Sequence, residues 1–168
     1  VTFVKTLFRH LGFLLISAVV TTIIATFLQT QRVIGNLSDI GVSVSLWKRL
    51  GMSFYDITHL GTIYIIFITL ALLGAFLTSG IVFHFVKFGR SLIYVMAGAI
   101  AIFVMLMLMK RAFFDVHLIA GARDGAGIMW QMLAGAIGGF TFARLTRSRN
   151  APIRAVMSGN KDEDEALA

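Results

Sequence analysis

The chain has 168 residues, of which 58% are hydrophobic and 14% charged, and its mean hydropathy is +0.87; this balance excludes a soluble globular domain, where about a quarter of residues carry charge. The absence of cysteine removes disulfides, thiolate nucleophiles, cysteine-held zinc and iron–sulfur clusters. The formal charge is +7, yet the basic residues are scattered through the connections and form no patch interleaved with aromatics, so nucleic acid is not an expected partner.

In chain order, the first uncharged run is Leu11–Leu28, preceded by Lys5 and Arg9. It is long for a signal peptide, and Ala25-Thr26-Phe27-Leu28-Gln29-Thr30 carries no small-x-small cleavage site, so an uncleaved anchor is expected. Three more uncharged runs follow at Leu60–Phe83, Ser91–Met109 and Gly125–Ala143. At about 1.5 Å per residue each covers or nearly covers a hydrocarbon layer of about 30 Å. The expected fold is therefore all-α, an integral membrane four-helix transmembrane bundle over residues 1–149.

Between the first two runs, Val44, Trp47, Leu50, Phe54 and Ile57 recur at spacings of three and four, with Lys48 and Arg49 turned aside. This pattern predicts an amphipathic helix over about 44–57, lying in the interface or packed as a lid over the outer mouth of the bundle. Ser53 and Asp56 fit a capping box, from which a new helix would begin near Phe54 and run into the second span. The turn from His84 to Arg90 is short and makes spans two and three antiparallel neighbours. A second outer loop runs from Lys110 to Asp124, and its Phe113 to Ile119 portion is apolar enough to dip into the interface. Beyond Arg144 the composition turns to Arg, Ser, Asn and Gly and then to four consecutive acids, so 150–168 reads as a disordered cytoplasmic tail. No internal repeat is visible, which weighs against an inverted-repeat transporter.

Arg and Lys favour cytoplasmic loops. With the N-terminus inside, Lys5, Arg9, Lys87, Arg90, Arg144, Arg147, Arg149 and Arg154 lie in the cytoplasm. Arg32, Lys48, Arg49, Lys110, Arg111 and Arg123 then lie outside. Eight against six places both termini in the cytoplasm, and the expected location is a bacterial cytoplasmic (inner) membrane. Trp47, Trp130, Tyr55 and Tyr64 are expected at the outer boundary as an aromatic belt, with the two tryptophans as interface anchors.

Helices in lipid associate through close backbone approach and a few polar contacts. Gly135 and Gly139, with Ala134 and Gly138, give span four two small-residue rows, while Ser17, Thr21 and Ala25 offer one on span one. These rows place span four at the centre, or make it a dimerisation face. Gln131, the one carboxamide in any span, needs a partner such as a threonine of span one. No span contains Asp, Glu, Lys or Arg, which argues against ion pumping and coupled transport.

Four histidines fall at span ends, His10 and His84 on the inner side and His59 and His117 on the outer. Facing pairs of this kind can ligate a b-type haem. Asp56-x-x-His59 and Asp115-x-His117 offer a donor set for a divalent metal, with Asp56 and His59 expected on one helical face; the alternative is ordinary salt bridging of the two acids to Lys110, Arg111 and Arg123. Met105 and Met109 share a face but read as packing residues. Gly121, Arg123, Asp124 and Gly125 form either an anion nest at the start of span four or a tight turn capped by Asp124. No nucleophile elbow, Walker loop or HExxH motif is present, so no catalysis and no resident cofactor is expected. The leading expectation is a non-enzymatic accessory or assembly subunit that contacts lipid and another membrane protein or its own copies. A small haem or metal protein and an oligomeric channel for a neutral or anionic solute are the alternatives.

Overall fold

The computed structural model describes residues 2–39, 41, 44–86, 89–112, 122 and 124–147. They form four helices, α1 (Thr2–Asp39), α2 (Leu46–Val86), α3 (Arg90–Ala112) and α4 (Gly125–Arg147). All four are long and apolar enough to cross a membrane. The tail from 150 and most of the second outer loop lie outside the described residues.

The bundle runs up and down, each helix packing on the next and α4 closing the ring against α1. Glycine makes both described turns possible. Gly41, with φ 86°, follows α1 and its N–H reaches the Ser38 carbonyl at 3.0 Å. Gly89, with φ 65°, precedes α3, where its carbonyl accepts the first helical bond from Ile93 at 3.0 Å. Both residues occupy the left-handed region that side chains disfavour.

α3 and α4, at 23 residues each, are about 35 Å long and match a hydrocarbon layer. α1 and α2, at 38 and 41 residues, reach roughly 60 Å and must project. The level at which they leave the bundle is set by Arg32 pairing with Asp124 at the head of α4, and by Thr30 bonding Asp56 of α2. Beyond it, residues 33–39 and 46–55 extend past the head of α4 as an antiparallel two-helix projection, in which Ile34 and Ser53 are still buried.

This projection corrects the expected amphipathic lid. The segment over 44–57 is helical from Leu46, but it continues without a break into the second span and does not lie as a separate helix. Ser53 does not cap anything: its hydroxyl donates to the Arg49 carbonyl at 2.9 Å and accepts from Gln31 Nε2 at 3.2 Å. The polar face of the segment packs on α1, so its apolar stripe turns outward, with Trp47 84% and Phe54 71% exposed.

Inside the bundle α4 is held at backbone distance from both neighbours. A methyl group on Gly135 would collide with the Gly98 carbonyl of α3, one on Gly139 with the Tyr94 carbonyl, and one on Gly138 with the Thr21 hydroxyl of α1. Ala134 is fully buried between these rows. α4 is thus one of four ring positions and the one most enclosed by protein. At the Arg90 end the rings of Phe76, Tyr94 and Phe142 interlock with centroids 4.3 to 5.6 Å apart.

Candidate functional site

Polar side chains collect along one seam, formed by α1 against α2 and α4. Thr22, Thr26 and Thr30 of α1 repeat every four residues; Thr21 and Thr22 each return their hydroxyl proton to the carbonyl one turn back, at 2.8 Å, while the Thr30 hydroxyl is shared between the Thr26 carbonyl at 3.0 Å and the Asp56 carboxylate of α2 at 2.7 Å. The hydroxyls of Ser17 and Thr26 and the Gln29 Oε1 atom are buried in the same seam with no partner among the described residues. Gln131 reaches in from α4. Its Nε2 donates to the Ala25 carbonyl at 3.0 Å, and its Oε1 accepts from the Tyr64 hydroxyl of α2 at 3.1 Å. The carboxamide therefore joins three helices, and its partner on α1 is a backbone carbonyl where a threonine was expected.

Tyr64 is 3% exposed. It belongs to the seam, and its expected place in the aromatic belt does not hold. The reason is chemical: a phenol that satisfies a buried carboxamide is held inside more strongly than by the interface. Tyr55 and Trp130 are exposed, and Trp47 stands on the projection, several turns beyond the level of Trp130.

At the head of the seam Asp124 caps α4, its Oδ1 accepting from the Gly127 N–H at 2.7 Å and its carbonyl from Ile128 N–H at 3.1 Å. Arg32 donates to the other carboxylate oxygen. The Arg32 bond and then the Gly127 N–H hold the Asp124 carboxyl below its ordinary range. The helix N-terminus thus carries a side-chain carboxylate in the position an external anion would take. Gly121 and Arg123 of the suggested nest lie outside the described residues, and Gly125 begins the helix.

The histidine groupings come out differently. His59 is exposed, with its Nδ1 3.0 Å from the Thr58 hydroxyl and its ring stacked on Tyr55 at 4.0 Å. Asp56, three residues earlier on the same unbroken helix, is half-buried and turned to Thr30, so the two side chains take different partners. Among the described residues no three histidine or acidic side chains converge on a metal position, and the one ion pair is Arg32–Asp124. The pairing expected of Asp56 with a base is instead a hydrogen bond to Thr30. His117 and Asp115 lie outside the described residues. His10 is an exposed residue of α1, and His84 belongs to the last turn of α2.

Two surfaces remain open. One is the apolar stripe of the projection, Leu46, Trp47, Leu50, Phe54 and Tyr55, all more than half exposed. The other is a groove of about 960 Å³ between α2 and α3, running from Phe67 to Val82 on one wall and from Leu92 to Ala112 on the other.

Arg32, Thr30, Ser53, Gln31 and Tyr64 escaped the sequence reading as a group. The signal was present, because the rows 17-21-25 and 18-22-26 on α1 extend without interruption to Gln29 and Thr30. No family model, curated protein or solved structure matches the chain.

Proposed function

We propose that this multi-pass membrane protein is a non-enzymatic accessory or assembly subunit, in a bacterial cytoplasmic membrane, that docks on another membrane protein through the projecting start of α2. The observation that carries this reading is the direction of the apolar stripe. On this reading the hydrocarbon ends near the Arg32–Asp124 pair, and past that level Leu46, Trp47, Leu50 and Phe54 are exposed and face away from α1. Contiguous apolar surface in that position marks an interaction site, and aromatic residues supply much of the energy of such contacts.

The test is mild extraction from native membrane, comparing the natural chain with Trp47→Ser combined with Phe54→Ser. A partner in fixed ratio with the natural chain is expected, lost in the double variant while helix content and elution volume stay the same. Recovery of the same partner by the double variant would end this reading. The substitutions leave the Gln31–Ser53 and Thr30–Asp56 contacts in place, so a general failure to fold is not the expected cause of a loss.

A further inference from the structure

We infer that α1 and α2 enclose a site for one structural water molecule at Gly61, where the water accepts the Thr26 hydroxyl proton and donates to the Gln29 Oε1 atom and the Asp56 carbonyl. The first observation is a pair of complementary groups without partners. Thr21 and Thr22 spend their hydroxyl protons on carbonyls of their own helix, and Thr30 on the Thr26 carbonyl and Asp56, a bond that a helical threonine can always make one turn back. Thr26 does not make it: its hydroxyl is fully buried and has no partner among the described residues. Three residues on, the Gln29 Oε1 atom is also buried and also without a partner there. The hydroxyl has a proton to give and the carboxamide oxygen has lone pairs to receive one, and side chains at this spacing are neighbours on a helix. Hydrocarbon can satisfy neither, and a buried polar group left unsatisfied is costly.

The second observation is room beside the hydroxyl. Gly61 of α2 is buried, yet a methyl group on it would meet the Thr22 Cγ2 atom at 3.6 Å and the Thr26 Oγ1 and Asp56 carbonyl oxygens at 3.8 Å, all ordinary contacts. Gly98, Gly135 and Gly139 differ, since a methyl group on any of them would run into facing backbone. A space that takes a methyl group in contact takes a water molecule, and two of its three nearest walls here are oxygen atoms. A water oxygen displaced from that point toward them can reach hydrogen-bond length, and the Asp56 carbonyl has a second lone pair beyond the one its own helix uses. Thr26 stands one turn below Thr30, so the water fastens α1 to α2 a second time beneath the Thr30–Asp56 bond, at the root of the projection.

The experiment compares melting temperatures of the full chain and its variants in mild detergent, beside a diffraction map of the natural chain crystallised from lipid at a resolution that shows water. Gly61→Ala displaces the water and strands Thr26 and Gln29, so it is expected to lower the melting temperature by about 3 °C. Gly74→Ala on the same helix, where a methyl group would have nothing within 4 Å, gains backbone entropy alone and should raise it by about 2 °C. Thr26→Val added to Gly61→Ala removes one stranded group and should recover part of the loss. The map is expected to show a peak within hydrogen-bond reach of Thr26 Oγ1, Gln29 Oε1 and the Asp56 carbonyl, and it decides alone should Gly61→Ala fail to fold. A rise with Gly61→Ala to match Gly74→Ala would overturn the inference, as would a double variant less stable than Gly61→Ala. So would a map in which the Thr26 hydroxyl turns back to the Thr22 carbonyl with no peak beside it. A melting temperature that moves when sodium is exchanged for choline in the natural chain but not in Gly61→Ala would also overturn it, because the occupant would then be a cation.

Discussion

At the scale of single residues the polar groups inside the bundle act as connectors between helices. Gln131 is the clearest, since one side chain satisfies a tyrosine of α2 and a carbonyl of α1. Hydrogen bonds between helices in a membrane are worth about 0.6 kcal/mol on average, with an upper end near 1.7 kcal/mol. A double-mutant cycle of Gln131→Leu and Tyr64→Phe should give a coupling in that range by reversible unfolding in detergent, and a coupling indistinguishable from zero would mean that the two groups do not bond. Asp124 makes a prediction about acid. Its carboxyl is held below its ordinary range by Arg32 and the Gly127 N–H, so the folded state binds that proton less readily than the unfolded chain. The contribution is present in full above the ordinary aspartate range and is lost as pH falls through the depressed folded value. Asp124→Asn should therefore lower stability at neutral pH and flatten its dependence below about pH 4, as measured by melts across the acid range. An unchanged acid slope would refute the assignment.

At the scale of elements, glycine divides into two roles that look identical in the sequence. Gly98, Gly135, Gly138 and Gly139 lie against the backbone or side chains of a facing helix, whereas Gly74 and Gly80 face open space. Alanine at Gly98 or Gly135 should destabilise the bundle by about 1–3 kcal/mol through overpacking. Alanine at Gly74 should stabilise it by about 0.5–1 kcal/mol, because an exposed helical glycine contributes only backbone entropy. Thermal melts of the two single variants, side by side, decide the matter, and equal effects would mean that α3 and α4 are not in backbone contact. The same distinction explains why the small-residue rows of α4 were legible as packing faces while their assignment to particular neighbours was not. Small residues announce a close approach without naming what approaches.

At the scale of the whole molecule two short helices fit a bilayer and two long ones exceed it. The excess falls at both ends, and at the Arg32 end it forms the projection that supports the docking proposal. Lys5, Arg9, Arg90, Arg144 and Arg147 occupy the opposite end, and an even number of crossings returns the chain to the side on which it began. Reporter fusions at residue 1 and after residue 147 are expected to report the same, cytoplasmic, side, and opposite sides would remove one crossing from the fold. The sequence by itself determined the number of rods, their approximate limits and the solvent around them, because charge-free length is a one-dimensional property that a bilayer reads directly. It did not determine which way each rod faces. Leucine is as content against lipid as against another helix, so the periodicity that identifies an inward face in water loses its meaning here. That is why the stripe of Trp47 and Phe54 points outward, Tyr64 points inward and the start of α2 continues straight out of the bundle. Only the packing of α1 against α2 and α4, through Thr30, Gln31, Arg32 and Gln131, decided these orientations.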